Sequence, residues 1–157
     1  MNVEIERKFL VNSHAFKTEM YQKSYIKQGF LNSNKERVVR VRIIDNKGFL
    51  TIKGVSNLQG TTRFEWEKEI ELNEAKSLML LVEKGIIEKN RFFIKKGNHI
   101  FEVDEFLGEN NGLIVAEVEL NSENESFEKP AWLGKEVTGD ISYYNSSLSN
   151  KPFKDWV

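Results

Sequence analysis

Apolar and polar residues alternate along most of the chain, and the period is that of strands rather than helices. Across residues 2–11, Val3, Ile5 and Phe9 alternate with Glu4, Glu6 and Lys8, and across 37–44, Val39, Val41 and Ile43 alternate with Arg40 and Arg42. Both segments are expected as strands. Asn46-Lys47-Gly48 is a hairpin signal, because Asn and Gly tolerate the positive φ of tight turns, and Phe49–Lys53 is the returning strand. Arg63–Leu72 sets Phe64, Trp66 and Ile70 against Arg63, Glu65, Glu67 and Glu69. A helix is expected from Asn73, whose side chain can accept from first-turn amides, with Leu78, Leu81 and Val82 as its core stripe and Lys84-Gly85 as its stop. Three hairpin-linked strands follow, Ile86–Lys95, Ile100–Leu107 and Leu113–Leu120, and then two short helical pieces, Pro130–Leu133 and Ser142–Leu148. No linker or repeat interrupts this order, so residues 1–157 are expected as a single domain of α+β class, mainly β. About eight antiparallel strands would form one sheet, and closure into a barrel would remove its exposed edges.

Composition narrows the classes of function. With 23 basic and 24 acidic residues the net charge is −1, which excludes a surface that is wholly a nucleic-acid or anionic-membrane footprint. No nucleic acid and no membrane are therefore expected as partners. An apolar share of 39% excludes a disordered chain, which could not bury enough surface to offset its entropy. The absence of cysteine removes disulfides and thiolate chemistry and suits a reducing compartment. Glu4, Glu6, Arg7 and Lys8 leave no apolar signal stretch, and the longest apolar run, Leu78–Val82, is far below the ~20 residues of a bilayer span, so a cytoplasmic location is expected. His14 and His99 adjoin turn signals and are expected at the surface. Trp66 is expected beneath a covering helix, and Trp132 and Trp156 against the late helical pieces.

Alternation also groups the charges. Glu4, Glu6 and Lys8 share one strand face, as do Arg40 and Arg42, Arg63, Glu65 and Glu67, Lys89 and Arg91, Glu102 and Asp104, and Glu117 and Glu119; Lys53 ends its strand similarly. Same-face neighbours lie about 6.6–7 Å apart along a strand. A solvated face is the ordinary explanation. Like-charge neighbours such as Glu117/Glu119 and Arg40/Arg42 repel, however, and an ordinary wet face has no use for them. Closely spaced carboxylates can share a hard divalent cation such as Mg²⁺ or Mn²⁺, and clustered Arg and Lys suit phosphate. Both together point to a metal-bound polyphosphate, although no glycine-rich phosphate loop is present.

Glu4-Ile5-Glu6-Arg7-Lys8 resembles the E-x-E-x-K signature of the CYTH family, the triphosphate tunnel metalloenzymes, and further blocks resemble it in order. These are Gln28-Gly29-Phe30-Leu31, Arg40-Val41-Arg42, Thr51-Ile52-Lys53, Arg63–Glu67, Glu88–Arg91, Glu102-Val103-Asp104, Ala116–Glu119 and Trp132–Thr138. The resemblance implies an eight-stranded antiparallel barrel whose charged side chains point into a tunnel and whose apolar ones point outward under helices. It implies that Glu4, Glu6 and Glu119 hold one Mg²⁺ or Mn²⁺ and that Glu67, Asp104 and Glu117 serve a second, with Glu65 and Glu102 in support. Arg40, Arg42, Lys53, Lys89 and Arg91 would grip phosphates, Arg63 would support them, and Lys8 would orient or deprotonate the attacking water.

Two positions depart from the family pattern. Phe30 stands where phosphate-releasing relatives often carry Tyr, and Ser142 and Tyr144 stand where basic residues are common, so that a phosphate contact is either lost or supplied by Lys135. The implied activity is divalent-metal-dependent hydrolysis of a small-molecule triphosphate. Inorganic tripolyphosphate is the first choice, because no segment is left over to recognise a base or thiamine. Adenylate cyclase, thiamine or nucleoside triphosphatase, and a non-catalytic polyphosphate binder are the alternatives. The oligomeric state is left open, a homodimer included.

Overall fold

Nine strands and three short helices make up the chain in a computed structural model that describes residues 3–156. Asn2, the first residue of the opening strand expected from the sequence, lies outside the described residues. The strands are β1 (Val3–Val11), β2 (Gln22–Asn32), β3 (Arg37–Ile44), β4 (Lys47–Gly54), β5 (Thr62–Ile70), β6 (Ile87–Lys96), β7 (His99–Phe106), β8 (Ile114–Glu119) and β9 (Leu133–Glu136). The helices are α1 (Phe16–Glu19), α2 (Leu72–Met79) and α3 (Asn145–Asn150). Pairing is antiparallel throughout, in the order β5-β4-β3-β2-β6-β7-β8-β1-β9, and β5 also pairs with β1. Eight strands thereby close into a barrel, and β9 runs along the free part of β1. The closing seam is short, with Val3 opposite Phe64, Glu4 opposite Arg63 and Ile5 opposite Thr62.

Apolar residues of the strands pack mainly on the outside of the barrel. Phe9, Phe92, Ile94, Phe101, Val103 and Val118 form a core with Phe16 of α1 and with Trp132. Trp132 is 2% exposed and meets Phe16 and Phe101 edge-on at 5.9 and 5.6 Å. Ala75 and Met79 of α2 cover Val41 of β3. At one end, Leu148 of α3 joins Phe30, Val38, Ile87, Phe106, Leu113 and Val115 in a third core that shuts the barrel there. Trp156 packs on Tyr143 and Phe153 beside it.

The closed barrel agrees with the sequence pattern, and its details correct it at several points. β2 was not expected as a strand, because its outward positions Lys23, Tyr25 and Lys27 are polar or amphipathic while Ile26 and Phe30 point inward, so no apolar alternation shows. α2 starts earlier than Asn73: Glu71 is the N-cap, in a reciprocal capping box with Glu74. It also stops at Met79, so Leu78 and Val82 pack on the core while Leu81 is 71% exposed. Pro130–Leu133 is a turn leading into β9 rather than a helix, its exposed edge being taken up by β1. Ser142–Leu148 is a 3-10 turn at Ile141–Tyr143 followed by α3. Trp66 is half-buried and joins none of the three cores. Among the described residues no helix is long and apolar enough to cross a membrane.

Placement of these side chains predicts a contrast in urea unfolding. Trp132→Ala should lose about 3–5 kcal/mol, the cost of emptying a large buried ring site. Leu81→Ala should stay within about 0.5 kcal/mol of the parent, as exposed substitutions do. A large loss from Leu81→Ala would return it to the core stripe.

Candidate active site

Strand alternation delivers the charged face to the interior. The lumen is a cavity of about 890 Å³ lined by Glu4, Glu6 and Lys8 of β1, Arg40 and Arg42 of β3, Lys53 of β4, Arg63, Glu65 and Glu67 of β5, Lys89 and Arg91 of β6, Glu102 of β7, and Glu117 and Glu119 of β8. Of the residues singled out in the sequence, only Asp104 and Lys135 are not on its wall. Lys135 is exposed on β9, which lies outside the ring of eight strands, and it supplies no contact in the lumen.

Register decides which charges meet, because directly opposed side chains in an antiparallel pair begin about 4.5–5.5 Å apart. Lys8 opposes Glu117, Glu4 opposes Arg63, Lys53 opposes Glu65 and Arg91 opposes Asp104. The tightest cluster is at Asp104: Arg91 Nε and Nη2 donate to its two oxygens at 2.7 and 2.9 Å, and Lys89 Nζ lies 2.7 Å from Oδ2. Burial alone would raise the Asp104 carboxyl, but Arg91 and Lys89 hold it well below the ordinary carboxylate range. Burial, reinforced by Arg91, brings Lys89 down to about 8. Asp104 therefore serves as the counter-ion of two phosphate-type cations, and both its oxygens are engaged.

Elsewhere, Lys53 Nζ donates to Glu4 at 3.0 and 3.1 Å and lies 3.5 Å from Glu65, while Arg42 Nη2 donates to Glu67 at 3.2 Å. Glu117 stands 3.8 Å from both Lys8 and Arg91; burial would raise its carboxyl, yet Lys8, a hydrogen bond shared with Glu6, and then Arg91 bring it to about 2. Arg40 and Arg42 are both lowered, by burial first and then by cationic neighbours.

Glu6 and Glu119 are different. They oppose one another across β1 and β8, and neither forms a salt bridge among the described residues. Burial, and then Glu117 and Glu4, push the Glu6 carboxyl well above the usual range; burial, with Glu4 and Glu102, raises Glu119 as well. A hard divalent cation with oxygen ligands would relieve this repulsion, so the donor set here fits Mg²⁺ or Mn²⁺. Among the described residues no three such side chains already converge on one point, because Glu4 is held by Lys53. In the set Glu67, Asp104 and Glu117 each member is engaged by a cation, as Glu4 is, and Asp104 has both oxygens taken by Arg91 and Lys89.

Several lumen residues were given no role from the sequence. Tyr144 lies with its ring face 4.8 Å from Lys8 Nζ and 5.5 Å from the Arg63 guanidinium, and Asn145 Oδ1 accepts from Lys89 Nζ at 2.9 Å. Thr51 Oγ1 accepts from Arg40 Nη2 at 3.2 Å. Tyr144 and Asn145 reach the site from the segment that closes the barrel end, and no strand period marks them. His99 is half-buried at the cavity wall and hydrogen-bonded with Glu125, rather than free at the surface.

Comparisons with known proteins agree with this geometry. Residues 2–150 match the CYTH domain. The chain is 46% identical over 157 residues to an inorganic triphosphatase of Acetivibrio thermocellus, covering 99% of each chain. It is 33% identical over 150 residues to an inorganic triphosphatase of Nitrosomonas europaea, covering 93% of this chain and 96% of that one. The crystal structure of an inorganic triphosphatase superposes with a TM-score of 0.63 at 31% identity, covering 93% of this chain and 97% of the other.

Asp104→Asn should destabilise the ligand-free protein by about 3 kcal/mol, because it leaves Lys89 and Arg91 buried without their counter-ion. The sign with pH follows from the depressed carboxyl. Its contribution is complete above the ordinary value of 3.8 and is lost as pH falls below that value toward the folded one. Denaturation curves at pH 7 and in acid should converge for the two proteins as pH falls; a gap that stays constant would remove Asp104 from this role.

Proposed function

We propose that this chain, which belongs to the CYTH domain family, hydrolyses inorganic tripolyphosphate in the lumen of its barrel. The observation that carries the reading is the convergence of Arg40, Arg42, Lys53, Lys89 and Arg91 on one closed-ended cavity. A triphosphate brings roughly −4 to −5, since its terminal group titrates near 6. The eight acids and seven bases grouped on this face sum to −1, so the polyanion needs accompanying cations. Glu6 and Glu119, with Glu4 released from Lys53, would hold a divalent metal, Mg²⁺ or Mn²⁺. When bound, such a metal supplies charge neutralisation and lowers the pKa of a coordinated water.

The remaining work falls to the protein's own side chains. Arg40 and Arg42 present planar donor forks to phosphoryl oxygens, while Lys53, Lys89 and Arg91 supply positive charge around the chain of phosphates. Glu117 and the Tyr144 ring hold the Lys8 ammonium beside Glu6, where it orients the attacking water or stabilises charge on the transferring group. Asp104 fixes Lys89 and Arg91 without occupying the lumen.

Phosphate release from tripolyphosphate with Mg²⁺ or Mn²⁺ tests the reading, assayed beside ATP, thiamine triphosphate and cyclic AMP formation. Tripolyphosphate should be turned over fastest, and Arg42→Ala and Glu6→Ala should each lower kcat/KM by about 100-fold or more. Cyclic AMP formation from ATP, or tight binding of tripolyphosphate without turnover, would replace hydrolysis by cyclase or binder.

A second outcome concerns pH. Lys89 is charged below about 8 in the free protein, and a bound polyanion favours the charged form, so binding above pH 8 must take up a proton. Tripolyphosphate affinity, measured by calorimetry in chelator from pH 7 to 9.5, should therefore fall at the alkaline end. The fall should be shallower in Lys89→Arg, which has no such titration.

A further inference from the structure

We infer that Gln28 is a phosphate-contacting residue of this lumen, donating from its amide to a phosphoryl oxygen and accepting from an arginine Nε. The inference rests on the triphosphate reading of the same cavity. Gln28 lies in β2 with 0% exposure, and neither Nε2 nor Oε1 has a hydrogen-bond partner. Its direction is set by its neighbour: Gly29 faces the outer layer, where an added Cβ would come within 2.7 Å of Val82, so Gln28 projects to the inner side with Ser24, Ile26 and Phe30. Gln28 does not itself line the cavity, whereas Phe30, Arg40 and Arg42 do, so its amide sits directly behind that wall and meets a ligand once those arginines turn toward it.

The surroundings make the lack of a partner informative. Gln28 stands directly opposite Arg42 on β3, with Arg40 on the diagonal; on its other side it opposes Ile87 of β6, with Lys89 on the diagonal. Opposed and diagonal side chains begin about 5 and 7–8 Å apart, within reach of long side chains. Each of these cations is nevertheless engaged elsewhere. Arg42 donates to Glu67, Arg40 to Thr51, and Lys89 to Asn145 while pairing with Asp104. The Nε atoms of Arg40 and Arg42 are likewise buried without partners. One sector of the wall, β3 with β2, thus holds four of the five buried unpartnered side-chain polar atoms among the described residues.

Buried polar atoms are nearly always bonded, so such a cluster marks the place of an absent partner. Three of the four atoms are N–H donors, which calls for an acceptor-rich ligand; phosphoryl oxygens meet that need. The residue type also fits. An amide adds a donor without adding charge beside Arg40 and Arg42, the second of which already lowers the first. Its carbonyl can take the Nε of an arginine that turns toward the phosphate, a task that Lys or Arg at this position could not perform.

Gln28→Leu is close in size and removes both amide atoms. The tests are tripolyphosphate titration in chelator, followed by calorimetry, and the melting temperature with and without tripolyphosphate. The ligand-free melting temperature should be unchanged or higher, because two unsatisfied atoms leave the interior. The tripolyphosphate Kd should rise about 10-fold or more, and the ligand-induced thermal shift should shrink. Gln28→Glu keeps the length but exchanges the donor for a negative acceptor, and it should weaken binding further; it stands in if the leucine variant does not fold. A lower melting temperature with unchanged Kd would mean that the amide is satisfied internally and would overturn the inference while leaving the triphosphate reading intact. Failure of the parent protein to bind tripolyphosphate in chelator and to hydrolyse it with Mg²⁺ or Mn²⁺ would overturn both; where only the metal complex is taken up, KM with Mg²⁺ replaces Kd in the same comparison, and an unchanged KM in Gln28→Leu overturns the inference.

Discussion

A barrel that turns its charged face inward must balance those charges within its own wall. Bulk water reaches only the outer ones, such as Glu67 and Glu119, and an unpaired charge deeper in a confined lumen costs far more than one on a surface. Eight acids and seven bases on one face meet this constraint through register. Antiparallel pairing places Lys8 against Glu117, Arg63 against Glu4, Lys53 against Glu65 and Arg91 against Asp104. A slip of one residue in β1, β6, β7 or β8 would send its charges outward into the Phe101 and Trp132 core and bring its apolar residues inward. Fold and charge pattern are therefore one specification. The outward apolar packing fixes register, and register in turn neutralises the lumen well enough for the empty barrel to exist.

Strand alternation made most of this visible in the sequence, because a period of two groups charges by face. The sequence could not say which face was wet; resemblance to the CYTH family supplied that, and the closed ring with its outward aromatic core agrees. What remained hidden has a common cause. β2 mixes Ser24 and Gln28 with Ile26 and Phe30 on its inner side and carries Lys23, Tyr25 and Lys27 on its outer side, so neither face reads as uniformly apolar. Tyr144 and Asn145 enter the lumen from irregular backbone beyond a 3-10 turn, where no period exists. The distinct roles of Asp104 and Glu6, alike as inward carboxylates, depend on cross-strand neighbours: Asp104 is given two cations and Glu6 is given Glu119. Alternation along a strand contains no information about its partner.

The balance is incomplete in two places, and these are where ligand chemistry belongs. Glu6 and Glu119 of β1 and β8 are crowded carboxylates without a salt bridge among the described residues, whereas Gln28, Arg40 and Arg42 of β2 and β3 hold donors without acceptors. In the closed ring β5-β4-β3-β2-β6-β7-β8-β1, the pair β3/β2 lies four positions from β8/β1, on the opposite wall. One wall thus lacks positive charge and the other lacks acceptor oxygens. A divalent cation alone would satisfy only the first, and free phosphate only the second. A metal-bound polyphosphate spans both deficits with a single ligand, which is why the two sectors favour that complex over either component. The same arithmetic explains the engaged residues between them. Asp104 holds Lys89 and Arg91, and Lys53 holds Glu4, so that those groups stay positioned until a ligand of both signs enters.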